Sequence, residues 1–451
     1  MKFAVRAVLS AASFSWTLFA QQSLTLDLKD AIALAIRPDA QSRMSDATIE
    51  RQLAAAGVAR ARSSTAWMIE GSVSESVVRF DLRALGIDFP QVSPFVANVS
   101  LPAVVGPFSV ADGRIVAGKS LIDRAAAGRV RAAIGGEESA RVGEAKAREQ
   151  IAAATSKAYF AAALAQSNVE LNLLREKAAA RLLTFETERK ARGLVTGADV
   201  RRASAELAIK QRELSAARSE QFAALLKLKD LLGVDFGQEV QLLQRFDSAG
   251  NIPTVEQALV TAFQSRPEIV RAELQLKALG LSEKAIDAEK LPTLTAFGNF
   301  GALTTAPTPN RTQSTSISHT YAAGLALRVP LFDGGRRADE RKEVDAKKLE
   351  LQASLRQLRR QTELEIRLAL ERVRAAGEQL ALVTVQWKLA DEDLRQARGR
   401  FNAGEASVLE VSQAQTRMDE IDYQRLDVAY QHNLARLAVG EAMGTVAAMN
   451  W

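Results

Sequence analysis

Two carboxylates occupy matching places in this chain. Asp199 and Glu410 lie 211 residues apart, each at the end of a glycine-bearing turn and the start of a patterned helical stretch. An acid in the first turn of a helix is favoured by the helix dipole, which is local chemistry that needs no substrate. Other reactive residues are few. There is no cysteine. That excludes disulfides, thiolate metal sites, a cysteine nucleophile and an N-terminal lipid-modified cysteine. Only His319 and His432 are present, far apart, so no His-rich metal cluster or two-His helical motif can be built. A Ser-His-Asp triad needs one histidine and stays open on that count, but no G-x-S-x-G elbow accompanies it. His432 stands among alanines and leucines on a helix and reads as packing. An enzyme is the weakest reading, and no metal site is expected.

The elements that position the two acids are long. From Arg336 to Gly399 there is no proline, and Ile366, Val373, Leu380, Trp387, Leu394 and Phe401 recur every seven residues. Three residues after each of the first five stands Ala369, Ala376, Val383, Ala390 or Ala397. Large residues on one row and small ones on the next make a heptad seam. At 1.5 Å per residue this helix would span on the order of 95 Å. The turn Arg400–Glu410 sends the chain back through Val411, Ala414, Met418, Ile421 and Val428 to Gly444. An earlier stretch does the same: helical from near Lys119, it breaks at Arg192-Gly-Leu-Val-Thr-Gly-Ala-Asp199 and returns through Val200, Leu207 and Leu214 to Gly233. Each is an antiparallel helical hairpin.

The rest of the chain is duplicated as well. With no gap, the offset of 211 pairs Gly193 with Gly404, Thr196 with Ser407, Asp199 with Glu410, Val200 with Val411 and Gly233 with Gly444. The helix ending at Pro38 is echoed by the one ending at Pro267. Strands precede each hairpin. Ile69, Gly71, Val73 and Val77 share one face of a first strand. Val104–Val110 supplies a second and Phe95–Val99 a further strand-like piece, with Asp112-Gly113 closing the irregular part. In the second half, Leu291–Phe300 and Tyr321–Leu331 alternate as strands on either side of a polar loop, 304–320. The expected organisation is therefore a first repeat at 21–250 and a second at 251–444, with a tail at 445–451. Their strand hairpins fall at 67–110 and 292–331, their helical hairpins at 119–233 and 335–444.

Composition bounds the task. A net charge of +6 over 451 residues, with acids and bases interleaved, reads as solvated helix faces and not as a nucleic-acid surface. Lys2 and Arg6, an apolar run 7–19 and Ala20 read as a signal peptide, 1–20; the alternative is a core helix of a cytosolic protein. No other apolar run approaches the roughly 20 residues of a spanning helix. If the exported chain crosses a membrane, it crosses as strands. Four strands cannot close, and the smallest membrane barrels need about eight. Copies of the chain would have to share one barrel.

The junction Val329-Pro-Leu-Phe-Asp-Gly-Gly-Arg-Arg337 resembles the strand-to-helix junction of the outer-membrane efflux proteins, the TolC-like family. Leu291-Pro-Thr-Leu resembles the start of that family's second strand pair. Arg192–Val200 and Arg400-Phe-x-x-Gly-x-x-Ser-x-x-Glu-Val-x-x-Ala-Gln415 resemble its two helical tips. The likeness covers essentially the whole mature chain, in order and twice. It implies a mainly α fold with a small β part, in which long helical hairpins form an α-barrel tunnel. Four strands per chain would enter a 12-stranded transmembrane barrel in a homotrimer. It further implies an outer-membrane location with the helical part in the periplasm, contact with outer-membrane lipid, a periplasmic adaptor and an inner-membrane transporter as partners, and neither enzymatic activity nor cofactor. A coiled-coil scaffold without channel activity is the rival reading, though it leaves the duplicated strand hairpins unexplained. The adaptor itself is a third; two helical hairpins and few strands count against it.

By that resemblance, Arg192, Gly193, Leu194 and Thr196 with Arg400, Gly404 and Ser407 form adaptor-docking tips. Asp199, Phe401, Glu410 and Gln413 fall at the periplasmic gate. Carboxylates from three subunits would ring a narrow opening and attract cations. The family's latch tyrosine is Phe401 here, its partner arginine Ala406 and its inner aspartate Gln413. The resemblance therefore implies an incomplete latch. In the first repeat, Ala66 replaces the expected strand proline and Ala111-Asp-Gly-Arg114 the expected Phe-Asp-Gly-Gly.

Overall fold

A computed structural model describes residues 24–37, 43–62, 66–81, 104–243, 252–307 and 316–448. The expected signal peptide and the strand-like piece at 95–99 lie outside the described residues. In chain order the elements are β1 (Leu24–Leu26), α1 (Leu28–Ala35), α2 (Arg43–Arg62), β2 (Met68–Asp81), β3 (Val104–Ile122), α3 (Arg124–Ala191), α4 (Gly197–Leu232) and β4 (Val240–Leu242). There follow α5 (Val255–Ser265), α6 (Pro267–Ala288), β5 (Thr293–Pro307), β6 (Ser316–Arg328), α7 (Arg336–Asn402), α8 (Val408–Met443) and a short 3-10 turn, Val446–Ala448. The order repeats as the sequence predicts, with α3–α4 answering α7–α8. The chain forms two compact units; one gathers 1–49, 143–269 and 358–451, the other 50–142 and 270–357.

The first unit is helical and is sealed by small parallel pairing of β1 with β4. Its main core joins Leu28 and Ile32 of α1, Tyr159 and Phe160 of α3, Leu228 and Leu232 of α4, Leu437 of α8, and Val446. The Tyr159 hydroxyl donates to the Leu26 carbonyl at 3.2 Å, so its one polar atom is satisfied where the ring is buried. A second core packs Ala258 and Ala262 of α5 against Ile366, Ala369 and Val373 of α7 and Val439 of α8. Nearer the turns, Ala390 and Leu394 meet Ala414 and Met418 inside the α7–α8 hairpin, and Val169 meets Leu214 and Ala217 inside α3–α4. The buried residues of α7 are the two rows read from its heptads. Asp27 caps α1 and a Thr254/Gln257 capping box opens α5, so the short helices of both repeats begin on the same chemistry.

The second unit holds a four-stranded antiparallel sheet of order β2-β3-β5-β6. One row of the register runs Gly71, Ile115, Phe300, Tyr321. With period 2, the face it belongs to also carries Ile69, Val73, Val77, Leu325 and Leu327, all exposed. The opposite face carries Glu70, Ser72, Arg114, Asp112, Asn299 and Thr320. Both edges, β2 and β6, have no further partner strand among the described residues. No helix among the described residues is long and apolar enough to cross a membrane.

Three boundaries differ from the sequence reading. The first strand hairpin runs from 68 to 122, not 67–110: β3 continues through Asp112-Gly113, because Asp112 and Arg114 share a face and pair along the strand at 2.8 Å. A residue at Gly301 bearing Cβ would meet the Gly113 carbonyl at 2.9 Å, so the glycine at 301 lets β5 approach β3 where a turn was expected. The helix of the first repeat starts at Arg124, not near Lys119, because Asp123 accepts from the Ala126 amide at 2.7 Å and caps it. The counterpart of Asp333, which accepts from the Gly335 and Arg337 amides at 3.2 Å, is thus Asp123 and not Asp112. The polar loop expected at 304–320 is strand at both ends, to Pro307 and from Ser316; its threonines and serines alternate and suit a pleated surface.

Candidate functional site

The two turns at which the acids sit have one geometry. In the first, the amides of Gly193 and Leu194 donate to the carbonyls of Lys190 and Arg189, both at 2.9 Å; in the second, Gly404 and Glu405 donate to Phe401 and Arg400 at 3.0 and 2.8 Å. Gly193 and Gly404 hold φ of 75° and 82°, the left-handed conformation that closes a helix and suits glycine alone without strain. Arg192, Leu194, Thr196, Arg400 and Ser407 are exposed around them.

The next helices open on capping boxes, Thr196 with Asp199 and Ser407 with Glu410. Asp199 Oδ2 accepts from the Thr196 amide at 2.9 Å and from its hydroxyl at 2.6 Å. These bonds, the hydroxyl's first, hold the Asp199 carboxyl below its ordinary value. The Glu410 amide donates to the Ser407 Oγ at 3.2 Å, and Arg400 approaches Glu410 Oε2 at 3.4 Å. Both acids therefore serve their own helix start, the local role the sequence allowed; their side chains remain 38 % and 47 % exposed and able to face solvent. The Ser/Thr-x-x-Asp/Glu spacing could have revealed the boxes in the sequence.

Phe401 has its own partners. Its ring stands edge-on to Phe185 at 6.1 Å, and the Arg189 guanidinium lies 5.7 Å from it and 5.5 Å from Phe185. Glu186, almost fully buried, pairs with Arg189 at 3.2 Å. An aromatic and cationic contact thus joins α3 and α7 at Phe401. Gln413 is exposed on α8 and is not drawn into this cluster.

Sequence reasoning missed a buried charged node that links all four long helices. Asp419 of α8 lies 3.1 Å from Arg175 Nε of α3 and 3.2 Å from Lys210 Nζ of α4, and accepts from the Gln415 amide at 2.8 Å. One turn on, Asp422 accepts from the Trp387 indole of α7 at 2.7 Å and lies 3.8 Å from Arg175 Nη2. Arg175 also donates to the Asp419 carbonyl at 2.5 Å and stacks 4.1 Å over Tyr423, whose hydroxyl donates to Asn172 at 2.7 Å. Burial pushes the Asp422 carboxyl up, against the Trp387 N–H and Arg175. Burial would depress the Lys210 ammonium, but Asp419 and Glu213 leave it raised. The four charges at 175, 210, 419 and 422 were hidden because each reads alone as a solvated face.

Among the described residues no group of His, Asp and Glu could hold a metal ion. The arrangement is one of joints and turns, placed on a chain that also carries an open sheet with one apolar face. Solved outer membrane channels share this fold. Residues 258–445, most of the second repeat, match the family model of the outer membrane efflux protein. The chain is similar over 99 % of its length, and 94 % of the other's, to the Campylobacter jejuni CmeC outer membrane channel, with a TM-score of 0.68 and 17 % identity. It is similar to the outer membrane protein VceC of Vibrio cholerae (TM-score 0.65, 19 % identity, 92 % and 96 % covered). It also resembles the open state of the Neisseria gonorrhoeae MtrE outer membrane channel (TM-score 0.67, 17 % identity, 92 % and 88 % covered). No curated protein matches the chain.

Proposed function

We propose that the chain is one subunit of a homotrimeric outer-membrane channel-tunnel that conducts solutes outward from a periplasmic adaptor and an inner-membrane transporter. The observation that carries this reading is the sheet. Four strands whose two edges have no partner among the described residues, with an exposed face that is mostly apolar but carries Glu75 bonded to Ser109, cannot rest in lipid alone, because unpaired backbone groups there cost several kcal/mol each. Three copies close a 12-stranded barrel, which meets the size such barrels require. Trp67 and Lys119, 5.8 Å apart at the helix end of the apolar face, suit the lipid–water boundary. On α7, Leu368, Leu382 and Leu389 form a second exposed heptad row with Leu364 and Val385 beside it; a neighbouring subunit is what such a row would pack against. A coiled-coil scaffold needs no such sheet.

At the turns, Arg192, Gly193, Leu194, Thr196, Arg400, Gly404 and Ser407 form the adaptor-docking tips in this reading. Asp199 and Glu410 form carboxylate rings at the gate, with Phe401 and Gln413 beside them. Both carboxylates remain partly exposed beside their caps, which supports cation attraction. The test is the mass of the detergent-extracted complex, followed by single-channel conductance in a planar bilayer. A trimer with cation-selective pores is expected; a soluble monomer or dimer without conductance overturns the reading. The doubly substituted D199N/E410Q trimer should conduct with reduced cation preference.

A further inference from the structure

The two long hairpins meet differently near the turns than elsewhere. There the apolar clusters are internal to each hairpin: Ala390, Leu394, Ala414 and Met418 within α7–α8, and Val169, Leu214 and Ala217 within α3–α4. Between the hairpins lies a cavity of about 250 Å³. One part of its wall is apolar, from Ala179 and Leu182 of α3, Phe401 of α7 and Val411 of α8. The other part is charged. Arg175, Lys210 and Arg398 line it with the carboxylates of Glu206 and Asp419, while Asp422 and Glu213 stand behind Arg175 and Lys210 at 3.8 and 3.3 Å.

The carboxylates are already engaged. Lys210 lies 3.2 Å from Asp419 and 3.7 Å from Glu206, and Arg175 shares Asp419. Arg175 is 5 % exposed, yet its Nη1 has no hydrogen-bond partner, and its Nε, though close to Asp419, is not aligned to donate to it. A buried guanidinium with unsatisfied N–H groups is a costly arrangement that an added acceptor relieves. Arg398 donates to the neutral Gln415 carbonyl at 2.7 Å and has no carboxylate partner among the described residues. The cavity thus combines an apolar wall, cationic side chains and unsatisfied guanidinium donors, the composition of small-ligand sites.

We propose that this cavity binds a small organic monoanion with an apolar body, its carboxylate toward Arg175 and Arg398 and its body against Leu182 and Phe401. Such a ligand would bridge two hairpins that otherwise touch there through polar contacts and one aromatic pair. The site lies within a single chain, so it stands whether or not the channel reading does.

The test uses the full chain in detergent and benzoate as the probe, read by isothermal titration calorimetry. Benzoate should bind saturably at one per chain, and benzylamine, of like size and opposite charge, should not. Ala179→Leu, which fills the cavity without touching a charge, and Arg398→Gln, an exposed position that tolerates the change, should each weaken binding tenfold or more. Circular dichroism and complex mass confirm that both variants fold. Absence of saturable benzoate binding, equal binding of benzylamine, or full binding in folded Ala179→Leu would each overturn the proposal.

Discussion

Asp419→Asn is the sharpest perturbation of the helical part. It keeps the shape of the side chain and removes one charge from the centre of the node. The carboxylate is 12 % exposed and neutralises an Arg175 side chain that is 4 % exposed and a Lys210 side chain that is 16 % exposed. Breaking one partner of a fully buried pair costs about 3–5 kcal/mol. Here the loss is softened. Arg175 keeps Asp422 at 3.8 Å and the Tyr423 ring, and Lys210 keeps Glu213 at 3.3 Å. An expected cost of about 2–3 kcal/mol follows. The comparison is Asp391→Asn, which breaks an exposed pair with Arg395 whose side chains are 33 % and 65 % exposed and should cost about 0–1 kcal/mol. The assay is hydrogen exchange of α8 amides in the detergent-extracted chain, which reads local opening. At 1.36 kcal/mol per tenfold, exchange around 415–423 should quicken about 30- to 160-fold in Asp419→Asn. If it quickens no more than in Asp391→Asn, the node is solvated in practice and the reasoning from burial fails.

Gly404→Ala should cost about 1–2 kcal/mol, because φ of 82° is strained for any residue with Cβ; faster proteolytic nicking at the second turn is the readout, and an unchanged nicking rate would refute it. Asp199 should contribute stability above the ordinary aspartate pKa of about 3.9 and lose it as pH falls through its lower folded value. Thermal melts of Asp199→Asn should therefore show a flatter acid limb than wild type, and parallel limbs would count against the cap. Gly301→Val should impair the sheet, since even a Cβ there lies 2.9 Å from the Gly113 carbonyl. A heat-resistant oligomer band on unboiled gels should weaken or vanish, and a band as strong as wild type would show that β3 and β5 can separate locally.

What was legible in the sequence was whatever repeats. Ile366, Val373 and Leu394 fall every seven residues or a multiple of seven, and the structure buries them. Gly193 and Gly404 mark both turns because only glycine rests at their φ. The alternation of Tyr321, Leu325 and Leu327 placed β6 and its outward face. Boundaries were harder where one residue serves two patterns. Asp112-Gly113 has the chemistry of a turn, yet Arg114 on the same face and Gly301 on the neighbouring strand make it part of a strand; the glycine partner is far away in sequence. Asp123 hid as a cap for the opposite reason, since Leu121-Ile122 before it read as the start of a helix.

The site divides the same way. The acids at 199 and 410 were found by their duplication, but their bonds to Thr196 and Ser407 follow from a four-residue spacing and needed no fold to be seen. The node at Arg175, Lys210, Asp419 and Asp422 needed the fold. Its members come from three helices that are adjacent only once both hairpins have formed, and duplication does not mark them. The offset of 211 sets Asp419 against Ala208, Lys210 against Ile421 and Arg175 against Gln386, so no charge in the node has a charged counterpart there. An internal repeat reports what both halves must do alike, namely turn, cap and pack a seam. A contact that joins one half to the other is by its nature asymmetric, so it leaves no repeated trace. That is why the joints between the hairpins, and the cavity beside them, are the features that only the structure brings into view.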